Sequence, residues 1–312
     1  MTQVMKQLCI FLLITGLSTL AAQTLKVQSI TPLTSVEQGE FYFPQMHPSG
    51  TKVICTGPGY EGLYAIDLQD LSLEKISADP GAGYEFVLSA DGQHVFYRTS
   101  TYRGPKRYSS LLQLNLSTKE KIILEAEVRD LSTPQQVADG SIAYVIQDQI
   151  KRTPAARITP NSESLTESPA VFIENRKIAL YRGNEKILLE PFGEGIYIWP
   201  SVSPDGDRLL FTLAGRGTFI SDLDGNVFSE LGRANAPQWS PDGQWVLFMD
   251  DRDDGYVFTD SEIFIIKADG SEKIQLTNTD DIIEMYPHWG TDNYTIVYAS
   301  DDGVVYLMKL TR

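Results

Sequence analysis

The sequence predicts an all-β protein built as a closed ring of antiparallel blades, a β-propeller. Residues 200–206 read Pro-Ser-Val-Ser-Pro-Asp-Gly, and residues 237–243 repeat the pattern as Pro-Gln-Trp-Ser-Pro-Asp-Gly. A short apolar run follows each copy, and Ser-Pro-Asp-Gly is a tight-turn sequence, so each copy is typical of a β-hairpin. No segment has the periodicity of a long amphipathic helix. A hairpin that recurs in this way is typical of a stacked or circular array.

The pattern Pro-x-x-x-x-Asp-Gly, which we call the proline frame, occurs seven times with varying fidelity. Besides the two close copies, frames begin at Pro44, Phe86, Pro134, Pro169 and Pro287. A β-prone apolar run follows every frame, and after most of them come a further strand, a polar turn and another strand. This order predicts blades of four antiparallel strands.

The number of blades depends on residues 134–199, where the frames lie closest together. Pro169 and Pro200 are 31 residues apart, which barely holds four strands and their turns. We therefore interpret residues 134–199 as one enlarged, irregular blade that carries a polar insertion at residues 153–168. This interpretation predicts six blades, and seven is the alternative.

The two ends of the chain predict how the ring closes. The last frame is followed by two strands, after which the chain stops one strand short of a full blade. Residues 25–30 form an alternating strand with no partner of its own. Its pairing with the final blade would complete four strands and remove exposed sheet edges. We therefore expect a single propeller domain at residues 23–312, closed by its N-terminal strand.

Residues 1–22 have the pattern of a secretory signal peptide. Lys6 precedes an apolar run at residues 8–14, and small residues follow up to Ala22. The run is too short to span a bilayer comfortably, so we expect no membrane insertion after cleavage. Cys55 is the only cysteine beyond this segment. Export without an internal disulfide predicts a periplasmic or secreted protein, with the periplasm favoured.

The charge of the chain argues against one class of partner. The sequence has 41 acidic and 26 basic residues, a net charge of −15. Such a surface repels phosphate backbones and anionic headgroups, so we expect no binding to nucleic acid.

The repeats resemble those of a known family. The segments at residues 237–243 and 200–206, with Leu276-Thr277 before Pro287, are similar to the repeat of TolB-type β-propellers, which are WD-repeat-like. This resemblance implies a six-bladed propeller of four-stranded sheets and a periplasmic location. It also implies a standalone propeller, because the chain has no room for the additional N-terminal domain of TolB. Propellers host binding modules and enzymes alike, so the resemblance does not identify an activity.

Candidate binding residues follow from the repeat itself. The position after the frame proline holds Gln45, Gln135, Ser201, Gln238 and His288. If these positions surround a central channel, their side chains offer hydrogen bonds to a polar ligand or a peptide. The alternative is that they hold backbone groups of neighbouring blades. A metal site at His47 and His288 is a further alternative, although the chain has only three histidines.

The densest group of charges predicts a calcium site. Asp250, Asp251, Asp253 and Asp254 lie on one segment, and carboxylate oxygens are the ligands that Ca²⁺ prefers. The alternative is a solvated loop. Calcium is the only cofactor that the sequence predicts.

The leading functional prediction is an exported, non-catalytic scaffold that binds a protein or a cell-envelope component. Loops at residues 57–62, 100–107 and 250–262 would form the binding face, with Tyr102, Arg103 and Tyr256 as contacts of the kind found at binding hot spots. The alternative is an enzyme that acts on a polysaccharide or a peptide in the channel. A deep pocket with convergent carboxylates and histidines would favour the enzyme, and a pocket lined by amides would favour the scaffold.

Overall fold

The turns of the close frame copies share one set of hydrogen bonds in a computed structural model of the chain, which describes residues 24–154 and 168–312. The backbone N–H of Gly206 donates to the Ser203 carbonyl at 2.9 Å. The buried Ser203 hydroxyl donates to Asp205 Oδ1 at 2.5 Å and accepts from the Arg208 N–H at 3.0 Å. Gly206 has a φ of 82°, a conformation that favours glycine. The turn around Ser240 has the same contacts.

The strands form seven antiparallel sheets, which we number as blades 1 to 7 in chain order. Blade 1 contains β2 (Tyr42–Met46), β3 (Lys52–Thr56), β4 (Leu63–Asp67) and β5 (Leu73–Ser77). Blade 2 contains β6 (Val87–Leu88), β7 (His94–Arg103), β8 (Lys106–Asn115) and β9 (Lys121–Val128). Blade 3 contains β10 (Gln135–Gln136), β11 (Ile142–Ile146) and β12 (Gln149–Thr153).

The remaining blades follow the same pattern of sequential strands. Blade 4 contains β13 (Ala170–Glu174), β14 (Lys177–Arg182) and β15 (Glu185–Leu189). Blade 5 contains β16 (Tyr197–Val202), β17 (Arg208–Leu213), β18 (Gly217–Asp222) and β19 (Val227–Gly232). Blade 6 contains β20 (Asn235–Trp239), β21 (Trp245–Asp253), β22 (Phe258–Lys267) and β23 (Lys273–Gln275). Blade 7 contains β24 (Glu284–Trp289), β25 (Thr295–Ser300), β26 (Val305–Thr311) and the N-terminal β1 (Lys26–Pro32). Short 3-10 turns lie at Val36–Gln38 and Pro58–Tyr60.

The predicted propeller of antiparallel blades is confirmed, with seven blades in place of the preferred six. Residues 134–199 do not form one enlarged blade, because their described part contains two separate three-stranded sheets. The hairpin at residues 177–189 belongs to the second of these. A three-stranded blade needs fewer residues than a four-stranded one, so the 31-residue interval is long enough. Most of the predicted insertion, residues 155–167, lies outside the described residues, as does the predicted signal peptide.

Blades 3 and 4 each have three strands in the described residues, and the first strand of blade 4 runs in the reverse direction. At the start of β13, Pro169 and Ala170 line the same cavity as the frame turns at Gly140 and Pro204. At the end of β13, Ile173 lines a second cavity. This cavity lies on the side of the ring where the first strands of the other blades begin. β13 therefore runs opposite to the first strands of the other blades. After the three strands of blade 4, β16 begins again on the usual side.

Hydrophobic cores lie between neighbouring blades, because side chains of a strand alternate between its two faces. Val53 and Cys55 pack with Val297 of blade 7, whereas Ile54 packs with Tyr97 of blade 2. Burial raises the pKa of the Cys55 thiol well above its usual value. Because each core needs two adjacent blades, opening the ring would expose a core face to water.

The predicted closure by the N-terminal strand is confirmed. β1 pairs antiparallel with β26, with Val27 opposite Leu310 and Pro32 opposite Tyr306. Leu25 is 5% exposed and joins the core that Trp245 of blade 6 and Trp289 of blade 7 share. The first and last strands of the described chain therefore complete one four-stranded sheet.

The ring has two faces, which we name by the strand ends that lie there. We call the side with the frame turns at Ser89, Ser203 and Ser240 the turn face. We call the opposite side, where the first strands of all blades except blade 4 begin, the mouth face. No helix in the described residues has the length and apolar character needed to cross a membrane.

We predict that removal of residues 24–33 lowers the free energy of unfolding by at least about 4 kcal/mol. Two buried leucines, Leu25 and Leu33, are lost, and each large-to-small change in a core costs roughly 2–5 kcal/mol. Denaturant unfolding measures the change. As a control, Ile30→Ala on the exposed face of β1 should change the stability by less than about 1 kcal/mol. A truncated protein as stable as the intact chain would show that β1 does not close the ring.

Candidate functional site

A channel runs through the centre of the ring between the first strands of the blades. Towards the turn face it widens into a cavity of about 630 Å³, and towards the mouth face into one of about 530 Å³. Both cavities are lined by Val87, Gln135 and Ser201, so they form a continuous space. The volumes are in the range of small-molecule and peptide sites.

Four of the five positions after the frame proline line this channel and His288 does not, and the four side chains differ in what they do. Gln45 lines the mouth-face cavity, and its Nε2 donates to the Phe86 carbonyl of blade 2 at 2.9 Å. Gln45 thus connects two blades, which is the alternative role considered above. Gln238 and Gln135 line the turn-face cavity, and the buried Ser201 Oγ has no hydrogen-bond partner in the described residues. The amides of Gln135 and Gln238 are available to a ligand, whereas the Ser201 hydroxyl is buried in the wall.

The histidines do not come together in the channel. Nδ1 of His288 lies 2.7 Å from the Trp289 carbonyl oxygen, and burial lowers the pKa of His288 to about 4. His47 lies at a turn of blade 1, where its Nε2 is 2.7 Å from the Gly92 carbonyl oxygen and its Nδ1 is 2.7 Å from Ser49 Oγ. His47 therefore connects blades 1 and 2 at the turn face. Within residues 24–154 and 168–312, no group of three or more His, Cys, Asp or Glu side chains is arranged to hold a metal ion.

A repeated β-bulge shapes the mouth of the channel. In β2, β16, β20 and β24 the pairing register shifts immediately around the frame proline. In five of the seven frames the residue before the frame has a φ between 47° and 53°, which is costly for a non-glycine residue. These residues are Phe43, Glu85, Trp199, Ala236 and Tyr286. Strained conformations of this kind cluster at functional sites, and here they surround the channel mouth.

Aromatic rings form a continuous arc around part of this mouth. The ring centroids of Phe43 and Tyr286 are 3.9 Å apart, those of Phe43 and Tyr60 are 5.1 Å apart, and Tyr60 meets Tyr84 edge-on at 5.1 Å. We call these four residues the aromatic arc. It connects blades 7, 1 and 2. Trp199 of blade 5, which is 40% exposed, lines the mouth-face cavity from another side.

A charged pair of residues follows the arc on blade 2. Arg98 lies with its guanidinium 5.7 Å from the Tyr84 ring, and its Nη1 donates to the Leu131 carbonyl at 2.6 Å. Its Nε is buried and has no partner among the described residues. Burial lowers the pKa of Arg98, and the negative charge of Glu85 partly compensates. The same Glu85 charge raises the pKa of Tyr84.

The predicted contact residues lie at the tips of two long hairpins on the mouth face. Strands β7 and β8 have ten residues each, and β21 and β22 have nine and ten, whereas β3 has five. At about 3.3 Å per residue, these hairpins extend on the order of 15 Å further than the hairpin of blade 1. Tyr102 is 70% exposed at the first tip, where Arg103 pairs with Glu127, and Tyr256 is 95% exposed at the second.

The four aspartates of the predicted calcium site all have partners within the protein, and Asp250 and Asp251 share Arg233. Asp250 lies 3.5 Å from Nε of Arg233 and from Nζ of Lys273. The buried Asp251 accepts from Asn235 Nδ2 at 2.5 Å. Asp253 accepts from the Gly255 N–H at 2.8 Å, and Asp254 accepts from the N–H groups of Tyr256 and Val257 at 2.9 and 3.0 Å. These contacts shape the hairpin tip. Calcium binding at this segment stays a prediction, which a rise in melting temperature on calcium titration would support.

A pair of glutamates that the sequence analysis missed, one buried and one half-buried, lies between blades 6 and 7. Glu284 is fully buried, and its Oε1 lies 3.0 Å from Thr279 Oγ1, which also lies 3.1 Å from the Ile282 carbonyl oxygen. Glu262 accepts from the Thr279 N–H at 2.9 Å. Burial and the charge of Glu262 raise the pKa of Glu284 to about 7. A hydroxyl has one hydrogen, so a protonated Glu284 can donate to Thr279 while Thr279 donates to Ile282.

The comparisons with known proteins support the fold and leave the activity open. No family model matches the chain. An uncharacterized protein of Agrobacterium fabrum is 24% identical over 242 residues, which span 67% of this chain and 79% of the relative.

Three solved structures are similar in fold. TolB from Acinetobacter baumannii matches with a TM-score of 0.52 and 17% identity over 83% of this chain, and the match spans 59% of that TolB chain. An oligogalacturonate lyase in complex with manganese matches with a TM-score of 0.55 and 14% identity, over 92% of this chain and 95% of the lyase. The Cps50 (Swd1) β-propeller domain of Myceliophteria thermophila matches with a TM-score of 0.58 and 12% identity, over 92% of this chain and all of that domain. At these identities the likeness shows the β-propeller fold alone.

We predict that the stability contribution of Glu284 falls as the pH rises from about 4.5 to 7. The pKa is higher in the folded state than the usual 4.5, so the folded protein binds more protons in this window and loses stability through it. A shift of this size corresponds to about 3 kcal/mol. Glu284→Gln should remove that part of the pH dependence in denaturant unfolding at several pH values. Glu185→Gln, an exposed control, should leave it unchanged. Equal pH slopes for wild type and Glu284→Gln would contradict the assignment.

Proposed function

We propose that this chain is an exported, non-catalytic binding propeller that holds a protein or cell-envelope partner on its mouth face. The observation that carries this proposal is the convergence of three separate features on one side of the ring. The channel mouth, the aromatic arc and the tips of both long hairpins all lie there. Export rests on the signal-peptide pattern of residues 1–22, and the fold likeness to TolB agrees with it.

The side chains of the mouth face are of the kind that dominate binding energy. Tyrosine, tryptophan and arginine are enriched at hot spots because they combine a large contact area with hydrogen-bonding groups. Tyr84, Tyr102, Trp199 and Tyr256 are each at least 40% exposed here. Exposed apolar surface concentrated on one face is typical of an interaction site. Tyr256 and Tyr102 project furthest and would contact the partner first.

The lining of the channel supports binding more than catalysis. The described residues around the two cavities are mainly amides, hydroxyls and small apolar groups, with Glu85 as the one carboxylate. General acid–base catalysis needs titratable groups that converge on a reacting atom, and neither His47 nor His288 lines these cavities. The alternative is an enzyme that acts on a polysaccharide or peptide. Its acid–base groups would have to converge only after the ligand has bound.

Site-specific photo-crosslinking in the native cell envelope tests the proposal. A photoreactive phenylalanine analogue replaces Tyr102, Trp199 or Tyr256 on the mouth face. The matched control replaces Leu71, which is 41% exposed in the β4–β5 turn away from the mouth. We expect the same partner to be crosslinked from at least two mouth-face positions, at a yield on the order of tenfold above that from Leu71. Equal yields from Leu71, or products from Leu71 only, would contradict a mouth-face partner site.

A further inference from the structure

Arg98 is a charged group whose hydrogen-bonding capacity is only partly used. A guanidinium has five N–H donors, and the structure gives Arg98 one bond, from Nη1 to Leu131. In the described part of the chain its Nε is buried without a partner, and no carboxylate lies within ion-pair distance of it. A partly buried cation without a paired anion is costly. A carboxylate bound at the terminal nitrogens of Arg98 would pair with this cation and reduce that cost.

The position of Arg98 makes it accessible to a ligand. Arg98 and Tyr84 line both the mouth-face cavity and a neighbouring cavity of about 330 Å³ beneath the β7–β8 hairpin. Tyr60, Tyr102 and Arg107 line that second cavity. Together the two cavities form a groove that leads from the channel outward past Arg98. Its charged groups are Arg98, Arg107 and Glu85, so it carries more positive than negative charge in a chain of net charge −15.

The channel end of the groove favours a peptide as the occupant. The strands that line it, β6 and β10, are the first strands of their sheets, so each has a neighbour on only one side. Their free edges present backbone N–H and carbonyl groups that an extended peptide can pair with. The amide of Gln135 adds a polar contact on the same wall. A peptide backbone matches this pattern along its length, and its side chains reach the groove wall.

We propose that Arg98 binds a carboxylate side chain of an extended, acidic peptide segment, and that this segment belongs to the partner of the mouth face. The proposal rests on the proposed function and identifies the chemistry of the partner. The terminal nitrogens of a guanidinium can donate two parallel N–H···O bonds to the oxygens of a carboxylate. Tyr84 and Tyr60 pack against the adjoining residue, and Arg107 attracts a second acidic side chain towards the outer end of the groove.

Fluorescence anisotropy with two labelled octapeptides tests the proposal on the full chain. The acidic probe is acetyl-(Glu-Ala)₄-amide, and the neutral probe is acetyl-(Gln-Ala)₄-amide. Loss of a charge-assisted hydrogen bond pair weakens binding by at least about tenfold, so we expect that loss for Arg98→Gln with the acidic probe. Arg98→Lys should bind more weakly than wild type and more tightly than Arg98→Gln. As the control, Arg182→Gln removes an exposed arginine that pairs with Asp224, and it should bind like wild type.

Several results would overturn the proposal. These are equal affinity of wild type for both probes, no binding of the acidic probe to wild type, or unchanged affinity in Arg98→Gln. If Arg98→Gln unfolds, Arg98→Lys and the exposed Arg107→Gln replace it. Unchanged affinity in both variants would also overturn the proposal.

A third probe, trigalacturonate, distinguishes a sugar carboxylate from a peptide carboxylate. Arg98-dependent binding of that sugar without binding of the acidic peptide would make the peptide assignment wrong. Failure of the peptide with mouth-face crosslinks intact would refute this inference alone, whereas loss of the crosslinks would refute the proposed function.

Discussion

The antiparallel pairing of β1 with β26 is the interaction on which the rest of the structure depends. Each hydrophobic core lies between two blades, so a ring with an open seam would expose a core face and a sheet edge. The N-terminal strand covers that edge, and Leu25 enters the core shared by Trp245 and Trp289. Closure therefore holds all seven first strands around one channel. The shape of the mouth therefore depends on the pairing of β1 with β26 at the outer edge of blade 7.

The mouth face combines local strain with exposed binding groups. Phe43, Trp199 and Tyr286 adopt a left-handed backbone conformation that costs roughly 1–3 kcal/mol at each position. The bulges turn these side chains and their neighbours around the opening, where Phe43 and Tyr286 are in contact. A closed ring can tolerate this strain because the surrounding strand pairing determines the backbone. Arg98 adds a second unfavourable feature at the same place, an incompletely satisfied buried charge. The strained backbone and the incompletely satisfied charge both cost stability, and both are expected at a surface that binds a ligand.

The proline frames predicted the architecture well, because Ser-Pro-Asp-Gly turns and apolar runs are local signals. The seven frames correspond to the seven blades, and the closing strand was recognisable from its missing partner. The count of six was wrong since it assumed four strands in every blade. The aromatic arc, Arg98 and Glu284 were not predictable from the sequence. Their roles arise from contacts between blades, and the residue before a proline ordinarily favours an extended conformation. The hairpin pattern alone predicted that Tyr102 and Tyr256 lie on one face.

The most direct test of the central claim, that closure by β1 holds the ring together, is native-state hydrogen exchange of the backbone amides. The β1 amides that pair with β26 should exchange with the same free energy of opening as the buried β25 amides, because the ring would open only when it unfolds as a whole. Exchange of the β1 amides at the rate of a frayed terminus, with β25 still protected, would contradict the claim. It would mean that six blades and an incomplete seventh keep the ring closed without the pairing of β1 with β26.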